Sequence, residues 1–266
     1  MKPGAGTRQR NNRTLERALH ARLLRTLFPS GTGTPAAVRN LKQVAIFPHL
    51  GIAFNRLQKN GSSTVMSFLY FAEYGQHVSS LEAKGSAIHL DSLGTRGILA
   101  LGRRKRIAIV RDPFSRTLSA FLQKFRSPRF QSRFGSFDLS PEGFSAFLEF
   151  LSAGGLRANS HWSPQTDRLL LAPHHYHLLV PFSEFPNKFL DTVEQWTPGL
   201  RQKFADFSQN DIQGPQQTEA GKRVGAFYNK TDLARVEELY CQDLEVPEIL
   251  SEAEKIRAQM RISDGR

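Results

Sequence analysis

Cysteine is nearly absent from this chain: Cys241 is the only one. An intrachain disulfide and a multi-cysteine zinc cluster are therefore excluded. The surroundings of Cys241, ELYCQDLEV, look helical and predict a core or flanking thiol rather than a nucleophile. Long apolar runs are missing too. No stretch of about 18 apolar residues exists, so no membrane span is expected. The N-terminal segment carries charge and no uninterrupted apolar stretch, which argues against a secretory signal. Tyrosine and tryptophan are few, 5 and 2, against 20 phenylalanines, a usage that favours buried rings over a stacking surface. Acidic residues are scarce at the start. Up to residue 42, Glu16 is the only one, while Arg8, Arg10, Arg13, Arg17, Arg22, Arg25 and Arg39 recur.

What is present is positive charge. The formal net charge is +12 over 266 residues, with a pI of about 10.2. Such an excess suits an anionic partner: a nucleic acid, an anionic membrane surface, a polyanionic nucleotide or an acidic glycan. A basic arm on an otherwise ordinary body would give the same total. Residues 1–42 read as that arm. Leu15, Leu19, Leu23, Leu24, Leu27 and Phe28 fall at helical spacing and predict a basic amphipathic helix, broken by the Pro29 to Pro35 stretch. Such a helix would bind an anionic surface, serve in targeting, dock on the body or fray in solvent. Residues 43–266 are expected to form one domain.

Within the body, VAIFPHLGIAFN reads as one or two extended segments around Pro48. A loop at LQKNGSS leads into a helix closed by Gly75. RIAIV (106–110) is a β-branched buried strand, followed by the helix DPFSRTLSAFLQKF. Residues 126–140 read as irregular, 141–154 as a helix, YHLLVPF as a strand and SEFPNKFLDTVEQW as a helix. Residues 197–225 look loop-like, and a last helix capped by Thr231 follows. Strand–loop–helix units at this spacing predict an α/β fold, a central parallel sheet flanked by helices.

Two strand-to-helix junctions carry the chemistry. At Lys59, Asn60, Gly61, Ser62, Ser63 and Thr64, the glycine permits a tight path and Ser62 or Ser63 can cap the helix. The free amides of its first turn would face an anion within reach of Lys59. The lysine precedes the glycine, unlike the order in an NTPase P-loop. At the second junction the strand delivers Arg111. Asp112 suits a helix cap and Pro113 the first helical position. Phe114, Leu118, Phe121, Leu122 and Phe125 form the apolar face; Ser115, Arg116, Ser119 and Gln123 form the other. Arg111 and Ser119 together make a phosphate clamp.

These residues resemble a family. RIAIVRDPFSRTLSAFLQKF is similar to the 3′-phosphate-binding segment of carbohydrate sulfotransferases, and LQKNGSSTVMSFL to their 5′-phosphosulfate loop. NSHWSPQTDRLL, HYHLLVPFSEFPNKF and TDLARVEELYCQDLEV echo later segments in order, so the resemblance runs from about residue 50 to 246. It implies a P-loop-like fold and 3′-phosphoadenosine 5′-phosphosulfate (PAPS) as co-substrate, without a metal. The acceptor would be a hydroxyl, on a saccharide or another small molecule, attacked in line at sulfur. Lys59 would stabilise the leaving phosphate. His89 holds the place of the relatives' base, with His161 and Asp91 as alternatives; His161 and Trp162 would otherwise line the acceptor pocket. Lys222 and Arg223 would belong to a late basic loop over the nucleotide. His174, His175 and His177 cluster on an expected strand and look structural. The family's usual cysteines and membrane anchor are missing here, which implies a cytoplasmic, bacterial-type member.

Two rivals differ in class. A kinase on a similar sheet would need a Mg²⁺-binding carboxylate, for which Asp112 is the one obvious candidate. A non-enzymatic nucleic-acid binder would use the arm, although no helix-turn-helix, zinc or RNA-recognition signature supports it.

Overall fold

The computed structural model describes residues 5–29, 38–209 and 219–264. In chain order the main elements are α1 (Ala5–Leu27), β1 (Val44–Phe47), β2 (Ile52–Asn55), α2 (Ser62–Tyr74), α3 (Ser80–Ser86), β3 (Ile88–His89), α4 (Gly94–Leu101) and β4 (Lys105–Val110). There follow α5 (Pro113–Lys124), α6 (Pro128–Phe134), α7 (Pro141–Ser152), β5 (Leu178–Pro181), α8 (Asn187–Trp196) and α9 (Leu200–Gln209). The last four are α10 (Ala220–Phe227), α11 (Lys230–Leu239), α12 (Cys241–Leu244) and α13 (Pro247–Asp264).

The strands form one sheet in the order β3-β1-β2-β4-β5. β2 and β4 pair in parallel at its centre, with Phe54 opposite Ile107. The expected parallel sheet is thus right at the centre and incomplete at one edge, where β1 runs antiparallel to both β2 and β3. The cause is local. Gly51, at φ +68°, donates its N–H to the Pro48 carbonyl at 3.2 Å and closes a tight hairpin. Glu73 holds the neighbouring His49 and Leu50 amides at 2.9 and 3.0 Å.

The described residues fall into two compact units: those up to 56 with 63–108 and 167–179, and 57–62 with 109–166 and those from 180 on. The first unit has an aliphatic core in which Leu24, Val44, Ile46, Leu90, Ile98 and Leu170 are buried together. Helix α1 joins this core through Ala21 and Leu24, with Phe28 just past its end. It docks, while Leu15 and Leu19 stay exposed. The break expected after Pro29 lies, from residue 30 on, outside the described residues. Among the described residues, no helix is long and apolar enough to cross a membrane.

The second unit has an aromatic core. Phe114, Phe121, Phe125, Phe144, Phe147 and Trp162 are all fully buried, with centroids 5.5 Å apart for Phe121 and Phe147 and 6.1 Å for Phe125 and Trp162. Such pairs add to simple burial. The helix α5 forms as its sequence dictates. Asp112 accepts from the Ser115 amide, Pro113 opens the first turn, and the predicted apolar face is buried.

Several local expectations are corrected. Residues 128–134, read as irregular, form α6, which starts at a proline and buries no residue; nothing periodic marks it. The stretch 197–225 contains α9 and α10, and residues 210–218 lie outside the described residues. Helix α11 is capped by Asn229, not Thr231, and it is not the last helix. His174 and His175 sit on a 3₁₀ turn ahead of β5. Of the two places expected for Cys241, core or flank, the thiol takes the exposed flank.

Candidate functional site

The site grows from two chain segments of the second unit, the turn at 57–62 and the end of β4 with the start of α5. The turn uses two left-handed residues, Lys59 at φ +70° and Gly61 at φ +67°. A non-glycine residue held there is uncommon and needs support from its surroundings. At Gly61 a Cβ would lie 2.8 Å from Cε2 of Phe182, so both backbone and space require glycine. Helix α2 starts at once, at Ser62.

Side chains missed in the sequence hold these segments together. Gln165 is fully buried. Its Oε1 accepts from Asn60 Nδ2 at 2.6 Å and from the Arg111 amide at 3.0 Å, and its Nε2 donates to the Arg111 carbonyl at 2.7 Å. Asn60 Nδ2 also donates to the Ile109 carbonyl at 2.8 Å. Asp243 accepts from the amides of Gln165 and Thr166 at 2.8 and 2.9 Å. Arg116 is equally buried. Its Nε donates to the Gln58 carbonyl at 3.2 Å and its Nη1 to the Ser163 carbonyl at 3.0 Å, while Nη2 is buried without a partner.

Arg111 lies where β4 delivers it, buried. Its Nε donates to Ser115 Oγ at 2.9 Å and its Nη1 to the Lys59 carbonyl at 3.0 Å. The Ser115 hydroxyl in turn donates a hydrogen bond to Asp112 Oδ2, and the Phe182 ring covers the guanidinium, 4.7 Å from centroid to Cζ. Ser115 is thus the hydroxyl directly on Arg111; Ser119, buried on the same helix, stands one turn further on. Lys59 Nζ donates to Gln123 Oε1 at 2.8 Å.

Lys59, Arg111 and Arg116 therefore direct their hydrogen bonds to neutral acceptors. Burial, and then the nearby charges of Arg111, Lys124 and Arg116, push the Lys59 ammonium down to about 7 from its ordinary 10.5. Burial also lowers Arg111 and Arg116. Asp112 and Glu252 offset part of the charge of Arg111, and Asp243 and Asp112 part of that of Arg116, whereas the charges that act on Lys59 are positive. A buried cation in that setting is costly, and an anion bound beside Lys59 would relieve that cost.

The other expected residues belong to the first unit or are otherwise engaged. Ser63 and Thr64 open α2 in the first unit, where Ser63 Oγ accepts from Lys84 Nζ at 2.6 Å. His89 is also in the first unit, on β3, with Nε2 2.7 Å from the Lys84 carbonyl and Nδ1 buried without a partner. His161 shares its Nδ1 with Asn159 Oδ1 at 2.7 Å. Trp162 is a core residue. Fully buried, it donates Nε1–H to the Gly155 carbonyl at 3.0 Å, which corrects its expected place in an acceptor pocket. Lys222 and Arg223 sit on helix α10, not on a loop. Lys222 pairs with Glu219 at 2.9 Å and Arg223 stacks on Phe227. Of the histidine cluster, His175 Nε2 contacts the Pro29 carbonyl at 2.5 Å and His177 Nδ1 accepts from the Arg106 amide at 3.1 Å.

Residues 42–246 match the model of a known protein family, described as "Sulfotransferase family". No curated protein and no solved structure matches the chain.

Proposed function

Because the chain belongs to the sulfotransferase family, we propose that it moves a sulfuryl group from PAPS to a hydroxyl of a saccharide or another small acceptor. The observation that carries this reading is the set of buried cations, Lys59, Arg111 and Arg116, whose hydrogen bonds among the described residues go to neutral groups within one unit. Their charge fits a nucleotide bearing phosphates at both ends. When bound, PAPS supplies an activated sulfuryl group on a phosphate leaving group.

The chain's residues do the rest. Lys59 and the amides of 60–64 hold the 5′ phosphosulfate, the amides being those left open at a helix start. Arg111 takes the 3′ phosphate along the edge of its guanidinium that Ser115 and the Lys59 carbonyl leave open, with Ser119 beside it. An anion on Lys59 draws its ammonium off Gln123 and restores its proton, placing full positive charge where negative charge develops on the leaving oxygen. His89 is the residue assigned to take the acceptor's proton, and its Nε2 is held by the Lys84 carbonyl. Asp91 and His161 are the alternatives for that role, and Lys222 and Arg223 close over the nucleotide. Asp112 is occupied by Ser115 as a helix cap, which leaves the kinase reading without its carboxylate.

The test is transfer of labelled sulfate from PAPS across a panel of sugar, lipid and phenol hydroxyls. Transfer that needs both Lys59 and Arg111 supports the reading. Metal-free binding of 3′,5′-adenosine bisphosphate is expected alongside it. Binding of ATP only with Mg²⁺, and none of the bisphosphate, would overturn it.

A further inference from the structure

We propose that Glu252, on α13 beyond the matched span of the family, is a positioning residue for the donor site, acting by fixing Phe182 over Arg111. The inference rests on the donor reading above.

Glu252 is 4% exposed. Its carboxylate accepts from the Ser183 amide at 3.0 Å and from the Ser183 hydroxyl. Lys255 bonds both, at 3.0 Å to Glu252 Oε1 and 3.1 Å to Ser183 Oγ. The residue clamped in this way is the neighbour of Phe182, whose ring lies against Gly61 on one side and the Arg111 guanidinium on the other. The ring keeps water off one face of Arg111, and electrostatic attraction strengthens where water is excluded. It also blocks rotation of the guanidinium away from Ser115 and the Lys59 carbonyl.

A carboxylate is a poor choice near an anion site on Coulombic grounds. Glu252 is close enough for its charge to favour the protonated form of Arg111, and it would repel a phosphate there. What it gains is geometric, since a carboxylate accepts the backbone and side-chain donors of one serine at once. The two effects have opposite signs, so the sign of a single substitution separates them.

The experiment uses the full chain and 3′,5′-adenosine bisphosphate, measured by calorimetry, with Glu252→Gln, Ser183→Ala, Phe182→Ala and the Glu252→Gln/Phe182→Ala double variant. Positioning predicts that Glu252→Gln weakens binding about tenfold, the scale of a lost charge-assisted hydrogen bond, although it removes a negative charge. Ser183→Ala, a milder change, weakens binding in the same direction. The double variant is no weaker than Phe182→Ala alone, because both act through the ring. Hydrogen exchange at the Ser183 amide rises in Glu252→Gln, a readout that needs no nucleotide. Equal or tighter binding by Glu252→Gln, additive losses in the double variant, or unchanged exchange at Ser183 each overturn the proposal. Failure of the unaltered chain to bind the bisphosphate removes the donor reading, and this inference with it.

Discussion

The two units bury polar groups in different ways. In the first, Asn55 at the end of β2 anchors a neutral network. Its Oδ1 accepts from Tyr176 Oη at 2.7 Å and from the Leu170 amide at 2.8 Å, and Tyr176 Oη accepts from the Leu170 amide at 3.1 Å. In the second, Lys59, Arg111 and Arg116 hydrogen-bond carbonyls, an amide and a hydroxyl, with Asp112 buried beside them as the cap of α5. A satisfied neutral network holds a strand end in place. A buried lysine lowered by burial and by neighbouring positive charges, as Lys59 is, costs stability that a bound anion would offset.

The comparison can be broken first at Lys59. Lys59→Asn keeps a residue that tolerates the left-handed backbone and removes the charge, so sulfuryl transfer should fall about a hundredfold to a thousandfold. Retained activity in a radiolabel assay would show that the cation cluster is not the reacting end. Next, Arg111→Ala should weaken 3′,5′-adenosine bisphosphate binding about tenfold to a hundredfold by calorimetry; an unchanged affinity would remove the clamp.

Proton linkage gives a graded effect. Lys59 is lowered to about 7 in the folded chain, while a bound anion favours its protonated form. Binding above about pH 7 therefore takes up a proton, and affinity should decline as pH rises from there toward the ordinary lysine value, by at most about tenfold per pH unit. The unliganded protein has the opposite slope at this residue. Over the same range the unfolded chain holds more protons, so the Lys59 contribution to stability rises with pH. Affinity that stays flat between about pH 7 and pH 9 would put Lys59 away from the anion.

The smallest effect belongs to the first unit. Tyr176→Phe should cost about 1 to 3 kcal/mol in denaturant unfolding, because it removes one donor to Asn55 Oδ1 and the hydroxyl that accepts from the Leu171 amide, and it should leave bisphosphate affinity unchanged. A loss of affinity would mean that the neutral network also serves the site.

The legible parts of this molecule are those specified by neighbours in sequence. Asp112, Pro113 and the spacing of Phe114, Leu118 and Phe121 announce α5 because cap and period are local signals. The Lys59–Thr64 turn was legible for the same reason. Gln165 was not, because its partners Asn60, Arg111 and Asp243 are 105, 54 and 78 residues away, and a lone loop glutamine carries no pattern. Glycines in AGKRVGAF suggested a loop at Lys222 and Arg223, yet Ala220, Val224 and Phe227 bury one face against the aromatic core and make a helix. Tertiary burial overrode propensity there. Trp162 was misplaced because an aromatic beside a histidine reads equally as pocket or core.

The exposed thiol of Cys241 has a practical consequence. It stands two residues before Asp243, whose carboxylate holds the Gln165 bridge between the turn and the strand end. With no second cysteine in the chain, a single maleimide fluorophore attaches at one defined place. Emission from that label, recorded as 3′,5′-adenosine bisphosphate is added, would test whether binding at the turn reaches α12.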